Sequence, residues 1–399
     1  MTEIADRRTA ADQRHREPVD RPVAVVIGTR PEAIKLAPVV MELRRRDLLT
    51  TVIATGQHAE MTDSVLELFG IVADHELKLM RPEAGLNAAL GRAIQRVGAL
   101  LDDVRPSVVI VQGDTTTAVA GAVAAFNVGV PVAHVEAGLR SHDLELPFPE
   151  EMHRRLISVV TRWHFAPTEH AAEELRAEHA SGTTVMTGNT VVDAIKHILA
   201  SRPGPGSRSA IPAGRYVLAT AHRRESWGDP IRNIALALRD VIRARSDTSV
   251  VFATHPNPKA RQPVDEVLGS EPRAMVLDAI AYDAFLELLS GATLAVTDSG
   301  GVQEEGPSLG VPVLVTRAVT ERPEGIEAGA ARMVGTRRTV IREAVLELLD
   351  QEGARARMAA AGRSVYGDGF AARRIVDTLA GSLGTRSRST AKATATGVN

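Results

Sequence analysis

Short apolar runs alternate with amphipathic stretches through most of this chain. The runs at 23–27, 51–55, 107–111 and 131–135 carry almost no charge, as strands buried on both faces do. Between them the polar and apolar positions follow a helical period. It is clear over 31–46, where Pro31 suits a first helical position and Pro38 should bend the helix. The pattern pauses at 201–207, Ser-Arg-Pro-Gly-Pro-Gly-Ser, a composition expected of a linker or hinge-side loop. It resumes with apolar runs at 216–220, 248–253, 293–297 and 312–315. Strand–helix alternation on both sides of the pause predicts an α/β chain of two doubly wound parallel-sheet domains, each with helices on both faces. Ligands of such sheets bind outside the carboxyl ends of the strands, and a cleft between two of them is the natural site. Residues 1–21 are charged and aperiodic, and are expected to form a disordered arm. Residues 384–399, rich in Ser, Thr, Ala and Gly, are expected to form a disordered tail.

Composition narrows the function classes. With 399 residues, 44% of them hydrophobic, there is enough chain for two sizeable cores. A net charge of −2 gives no footprint for non-specific nucleic-acid or membrane binding, so neither partner is expected. An aromatic content of 3% argues against a stacking platform for single strands. Without cysteine there is no disulfide, thiolate nucleophile or thiolate-bound metal. No apolar stretch reaches membrane-spanning length and no hydrophobic leader is evident, so a cytoplasmic enzyme is expected.

The most informative segment is Thr297-Asp298-Ser299-Gly300-Gly301-Val302-Gln303-Glu304-Glu305. A buried strand precedes it, and a helix is expected over 302–309. A strand running through Ser-Gly-Gly into a helix points backbone N–H groups at phosphate oxygens. Carboxylates one turn later would repel phosphate, so Glu304 and Glu305 fit better as acceptors for sugar hydroxyls. The segment reads as a cradle for a sugar-bearing nucleoside diphosphate.

Other chemistry-bearing residues fall at strand ends. Gly28-Thr29-Arg30-Pro31-Glu32 lacks the spacing of a dinucleotide fingerprint. Arg30 and Lys35 either face the cleft or are solvated cations of an ordinary turn. Asp114, in Gln112-Gly113-Asp114-Thr115, is either a helix N-cap or a cleft carboxylate. Glu136, beside a glycine at a strand end, is poorly explained as a surface charge. In Pro149-Glu150-Glu151-Met152-His153-Arg154, adjacent residues on a helix do not share a face, so one of the two glutamates should face the cleft. His222 and His255 follow two strands of the second half beside basic partners, which suits anions and not a metal. Neither a nucleophile elbow nor a P-loop is present.

Taken in order, eleven segments resemble the non-hydrolysing UDP-N-acetylglucosamine 2-epimerases of bacteria. They are 28–38 (GTRPEAIKLAP), 55–58 (TGQH), 113–117 (GDTTT), 134–141 (HVEAGLRS), 148–154 (FPEEMHR), 164–168 (HFAPT), 187–190 (TGNT), 222–226 (HRRES), 255–258 (HPNP), 297–305 and 320–324 (TERPE). The resemblance implies a GT-B fold, with a first domain over 22–188, a second over 189–369, and a terminal helix at 370–383 crossing back to the first. It implies a homodimer that uses no NAD or metal cofactor. The implied reaction interconverts UDP-GlcNAc and UDP-ManNAc by anti elimination of UDP to 2-acetamidoglucal and re-addition. By motif position it puts Asp114, Glu136 and Glu150 near the sugar and His222 near the diphosphate. Arg30 and Lys35 become nucleotide and phosphate contacts, Ser299 and Gly300 hold the diphosphate, and Glu305 the ribose. Arg154, Gly301 and Arg322 complete the implied substrate-binding set.

Two departures from the family pattern stand out. His153 replaces the usual Asn before the arginine of the PEE segment. Many members also bind a second UDP-GlcNAc as activator. At that site Gln57 is kept and Arg223 and His255 match the cationic contacts, but Glu60 and Glu83 replace an amide and a cation. Weak or altered self-activation is therefore expected. A GT-B glycosyltransferase, a hydrolysing epimerase releasing ManNAc, and a silent nucleotide-sugar sensor are the competing readings. A transferase would be over-provided with carboxylates. The hydrolysing enzymes often carry a kinase domain for which this length leaves no room, and a sensor would more naturally have lost a carboxylate.

Overall fold

The computed structural model describes residues 21–56, 59–79, 85–201, 212–221, 223, 226–255, 257–278 and 280–383. The expected linker beyond Ser201, the N-terminal arm up to residue 20 and the tail lie outside them.

The first half builds a parallel sheet from β1 (Val23–Ile27), β2 (Thr50–Ala54), β3 (His75–Glu76), β4 (Val108–Gln112), β5 (Val132–Val135), β6 (Thr161–Ala166) and β7 (Thr183–Met186). Their spatial order is β3-β2-β1-β4-β5-β6-β7. Strands β1 and β4 are buried along their whole length because helices cover both faces. On one face lie α1 (Arg30–Arg45) and α2 (Ala59–Leu68). On the other lie α3 (Leu86–Val104) and α4 (Thr116–Asn127). Then come α5 (Glu150–Val160), α6 (Glu169–Ala177) and α7 (Thr190–Ala200).

The second half repeats the plan. A parallel sheet is formed by β8 (Arg215–Ala221), β9 (Thr248–Thr254), β10 (Ala274–Leu277), β11 (Leu294–Thr297), β12 (Val313–Val315) and β13 (Ala331–Met333). Its order is β10-β9-β8-β11-β12-β13. Around it lie α8 (Asp229–Ala244), α9 (Pro258–Leu268), α10 (Tyr282–Gly291), α11 (Gly300–Ser308), α12 (Pro323–Glu327), α13 (Arg338–Asp350) and α14 (Glu352–Gly362). Helix α8 shows why these segments are helical: Ile231, Ile234, Ala235, Leu238, Val241 and Ile242 recur at 3–4-residue spacing and are all buried.

The last described helix, α15 (Ala371–Leu383), packs on α1 and α7 of the first half. Its Ile375, Val376 and Leu379 join Val39, Val40 and Leu43 in one core. Asp193 of α7 accepts the backbone N–H groups of Ala371 at 3.2 Å and Ala372 at 3.0 Å, so one helix caps another. Helix α7 also touches α10 and α11, which puts it between the two sheets.

In each sheet the strand order reverses once, at β1/β4 and at β8/β11. In such sheets the carboxyl ends of the strands at the reversal are where ligands bind. Among the described residues no helix is long and apolar enough to cross a membrane.

Replacing Asp193 by Ala removes the acceptor for two N-terminal donors of α15. A loss of about 1–2 kcal/mol in urea unfolding is expected, with faster amide exchange across 371–375. An unchanged exchange rate there would show that α15 is held by its apolar face alone.

Candidate active site

The turn after β1 is organised by a residue the motif reading passed over. Glu32, fully buried, accepts the backbone N–H groups of Gly28 at 2.8 Å and Thr29 at 2.6 Å, and the Thr115 hydroxyl at 2.5 Å. Burial pushes its pKa up to about 7 against the pull of those donors. It ties the β1 turn to the β4 turn. Gly28 must be glycine: a Cβ there would lie 2.1 Å from the Thr117 hydroxyl and 2.6 Å from that of Thr55.

The N-cap of α4 is Thr115, not Asp114. Asp114 instead accepts from Arg154 Nη1 at 2.6 Å, and its side chain is 29% exposed. Its loop is clamped twice more. The His153 ring meets the Asp114 carbonyl at 2.7 Å, and the His134 ring meets the Gly113 carbonyl at 2.7 Å. Burial pushes His134 down to about 3, so it stays neutral and donates.

At the start of α5 one glutamate turns in and the other out. Glu151 has no exposed surface. It accepts from the Ser141 backbone N–H at 2.9 Å and pairs with Arg154 at 2.7 Å and Arg155 at 3.1 Å. Burial would raise it, but these donors hold it down to about 2. Glu150 is half-buried, and one of its oxygens is buried without a partner. Burial raises its pKa, and the charge of Asp114 adds to the rise. Glu150 and Asp114 thus stand close enough for their charges to interact. Arg154, only 2% exposed, is committed to Asp114 and Glu151.

Glu136 follows β5 with φ 62°, an uncommon conformation for a side chain other than glycine. Its carboxyl accepts from Lys35 Nζ at 2.5 Å and from the Gln112 amide, and Arg322 lies 3.6 Å away. Burial raises Glu136 well above the ordinary carboxyl range, and the nearby Lys35 only partly offsets it. Lys35 is therefore not a solvated cation.

Lys35 also pairs with Glu304 of α11 at 2.7 Å, so it bridges the two halves of the chain. Glu304 pairs in turn with Arg322 at 2.6 Å, and Arg322 with Glu321 at 2.5 Å. The expectation that Glu304 accepts sugar hydroxyls is corrected: it is 1% exposed and both its oxygens face cations. Although burial opposes ionisation, Arg322 and Lys35 hold it below the usual range.

Ser299 is the N-cap of α11, which begins at Gly300, two residues earlier than expected from the sequence. A Cβ at Gly300 would stand 2.7 Å from Arg322 Nη1, so that guanidinium lies over the helix N-terminus. Gly301 has a Cβ position 3.6 Å from a Glu305 oxygen. The buried Tyr282 hydroxyl donates to Glu305 at 2.9 Å. Burial raises Glu305, and Arg30 is near enough to oppose the rise.

Arg223 donates its backbone N–H to Asp298 at 3.0 Å, with its guanidinium 3.5 Å from Glu321. His255 accepts the Asn257 N–H at 3.1 Å and lies beside Trp227. His222, Gln57 and Glu83 lie outside the described residues, as does the side chain of Glu60.

The family profile described as UDP-N-acetylglucosamine 2-epimerase matches residues 41–380. The chain belongs to the UDP-N-acetylglucosamine 2-epimerase family. It is 42% identical to the Escherichia coli K12 UDP-N-acetylglucosamine 2-epimerase over 368 residues, which span 90% of this chain and 98% of that one. The Neisseria meningitidis UDP-GlcNAc 2-epimerase bound to UDP-GlcNAc superposes with a TM-score of 0.85. It is 40% identical, covering 90% of this chain and 99% of that one. The Staphylococcus aureus MnaA–UDP co-structure gives the same TM-score and identity, covering 91% and 97%. The two facing Rossmann-like sheets are the family's GT-B architecture.

Sequence reasoning missed Glu32, Glu321 and Tyr282 as parts of this site, weighed Glu151 only against Glu150, and gave Glu304 a different role. Glu32 had a readable signal, an acidic residue at the third position of a helix whose N-cap is Thr.

Arg154→Met strands Glu151 in the interior with Arg155 as its remaining cation. A loss of about 3–5 kcal/mol in denaturant unfolding is expected. A loss below about 1 kcal/mol would mean that Glu151 takes up a proton at little cost.

Proposed function

We propose that this protein interconverts UDP-GlcNAc and UDP-ManNAc by eliminating UDP and adding it back. The observation that carries the reading is the opposition of two unlike sets of groups. Asp114, Glu136 and Glu150 line the carboxyl ends of β4 and β5 and the start of α5. Facing them from the second sheet are the N-terminus of α11 and Arg322. One side offers proton carriers, the other a seat for a leaving diphosphate.

In this reading, the backbone of Ser299, Gly300 and Gly301 with Arg322 and His222 binds the diphosphate. Glu305 takes the ribose hydroxyls, and Arg30 and Lys35 add positive charge. As the C1–O bond breaks, its electron pair leaves with UDP, whose added charge is stabilised by those preorganised donors. The C2 proton passes to a carboxylate on the anti face, giving 2-acetamidoglucal. Delivery of a proton to the other face of C2, with UDP oxygen attacking C1, gives the epimer. That sequence needs carboxyl groups able to both hold and release a proton near neutrality. Burial raises Glu136 to about 7, which gives it that property, and moves Glu150 in the same direction. Arg154 acts by holding Asp114, not by meeting the sugar. A homodimer working in the cytoplasm belongs to the same proposal.

The reading is tested by incubating the protein with UDP-GlcNAc in D₂O and following the proton NMR spectrum. UDP-ManNAc carrying deuterium at C2 is expected. Free sugar would indicate a hydrolase, and a C2 that stays protonated would exclude the epimerase reading. Glu136→Gln should lower the rate by about 10²–10⁴-fold while UDP affinity, read by calorimetry, changes little.

A further inference from the structure

Glu304 has no role in the reaction outlined above, yet it is among the most completely buried charged groups in the chain. It sits on α11, one turn beyond Gly300, and crosses the cleft to Lys35 on α1. Lys35 Nζ lies 2.5 Å from Glu136 and 2.7 Å from Glu304, so one ammonium is divided between two carboxyls contributed by different domains.

We propose that Glu304 is a positioning residue that, through its share of Lys35, decides whether Glu136 holds a proton when the two domains are together. The proposal rests on the reading of Glu136 as an acid–base group.

Among the described residues, the charged groups that act on Glu136 are Lys35 on α1, Glu304 on α11, and Arg322 in the loop before α12. Gln112, at the end of β4, is uncharged, and His134, on β5 itself, is held neutral. Arg322 is mostly spent on Glu304 and Glu321, at 2.6 Å and 2.5 Å against 3.6 Å to Glu136. Arg317 and Arg223 stand on the far side of Glu321. Glu321 is shared among Arg322, Arg317 and Arg223, so Glu304 is the carboxylate that competes with Glu136 for Lys35. With that ammonium divided and the site dry, Glu136 keeps a proton more readily. Without the charge of Glu304, both cations turn to Glu136 and favour its ionised form. Since Glu304 belongs to the second domain, drawing α11 away from α1 frees Lys35 for Glu136 in the same sense, although Arg322 departs with Glu304. The proton affinity of a group on one domain is therefore set by the approach of the other.

The test is carbon-13 NMR of side-chain carboxyls in the full-length chain, with the Glu136 signal assigned by its loss in Glu136→Gln. Glu304→Gln should lower the proton affinity of Glu136 at least tenfold, and the pH limb of kcat that depends on Glu136 should move to lower pH with it. A merely structural Glu304 would lower kcat at every pH and leave both positions unmoved, which would overturn the proposal. Glu304→Asp, which keeps the charge but draws it back from Lys35, should fall between the two, and carries the test alone should Glu304→Gln not fold. A shifted titration without C2 exchange would overturn the epimerase reading and leave the coupling standing. C2 exchange with an unmoved titration would overturn the coupling alone.

Discussion

A buried charge must be paired, and this constraint governs how the two halves of the chain meet. Lys35, Arg322, Glu136, Glu304 and Glu321 are nearly removed from solvent, and all but Glu321 depend chiefly on a partner carried by another segment. Taking such groups out of water costs several kcal/mol per ion, which their mutual attraction repays only in good geometry. The network is thus a poor source of stability and a strong selector of arrangement. Sliding α11 along α1 by one turn would separate Glu304 from Lys35 by about 5 Å and leave both without compensation.

The same constraint shapes the reacting end of the cleft. Asp114 stands on a loop whose two successive carbonyls are held by His134 and His153, and its carboxylate is held by Arg154. Arg154 is itself fixed by the buried Glu151. Glu136 keeps a left-handed backbone because Lys35 and Gln112 hold its side chain from two directions. Such a backbone costs on the order of 1–3 kcal/mol and persists where the surroundings over-determine it. Asp114 and Glu136 are thus held in clamped turns just beyond strand ends, and Glu150 in the first turn of α5.

Much of this was readable from residue order. The runs at 23–27 and 248–253 became β1 and β9 with shifts of at most one residue, because strands covered on both faces write themselves as unbroken apolar stretches. Strands β3, β6, β7, β10 and β13 were not foreseen. Strands β3, β7 and β10 are edge or half-exposed, β13 has three residues, and β6 carries Arg162 and His164 among its apolar positions. Asp114, Glu136 and Glu150 could be singled out because they lie near turn glycines or open a helix, but it was the motif resemblance, not spacing, that chose their roles. Which of two adjacent glutamates turns inward was not legible, at either 150–151 or 304–305. That choice depends for Glu304 on Lys35, more than two hundred positions away, as well as on Arg322, and for Glu151 on the path of a single turn.

Helix α15 has a consequence for how the protein is made. It is the last described element in sequence, yet Ile375, Val376 and Leu379 complete the core beneath the first sheet. During synthesis β1 to β7 emerge early, but the apolar strip of α1 and α7 that receives α15 stays uncovered until residues 371–383 have left the ribosome. The second sheet is by then complete. The amino-terminal half, first to be translated, is therefore the last to be finished, and through that interval it exposes a surface open to chaperones.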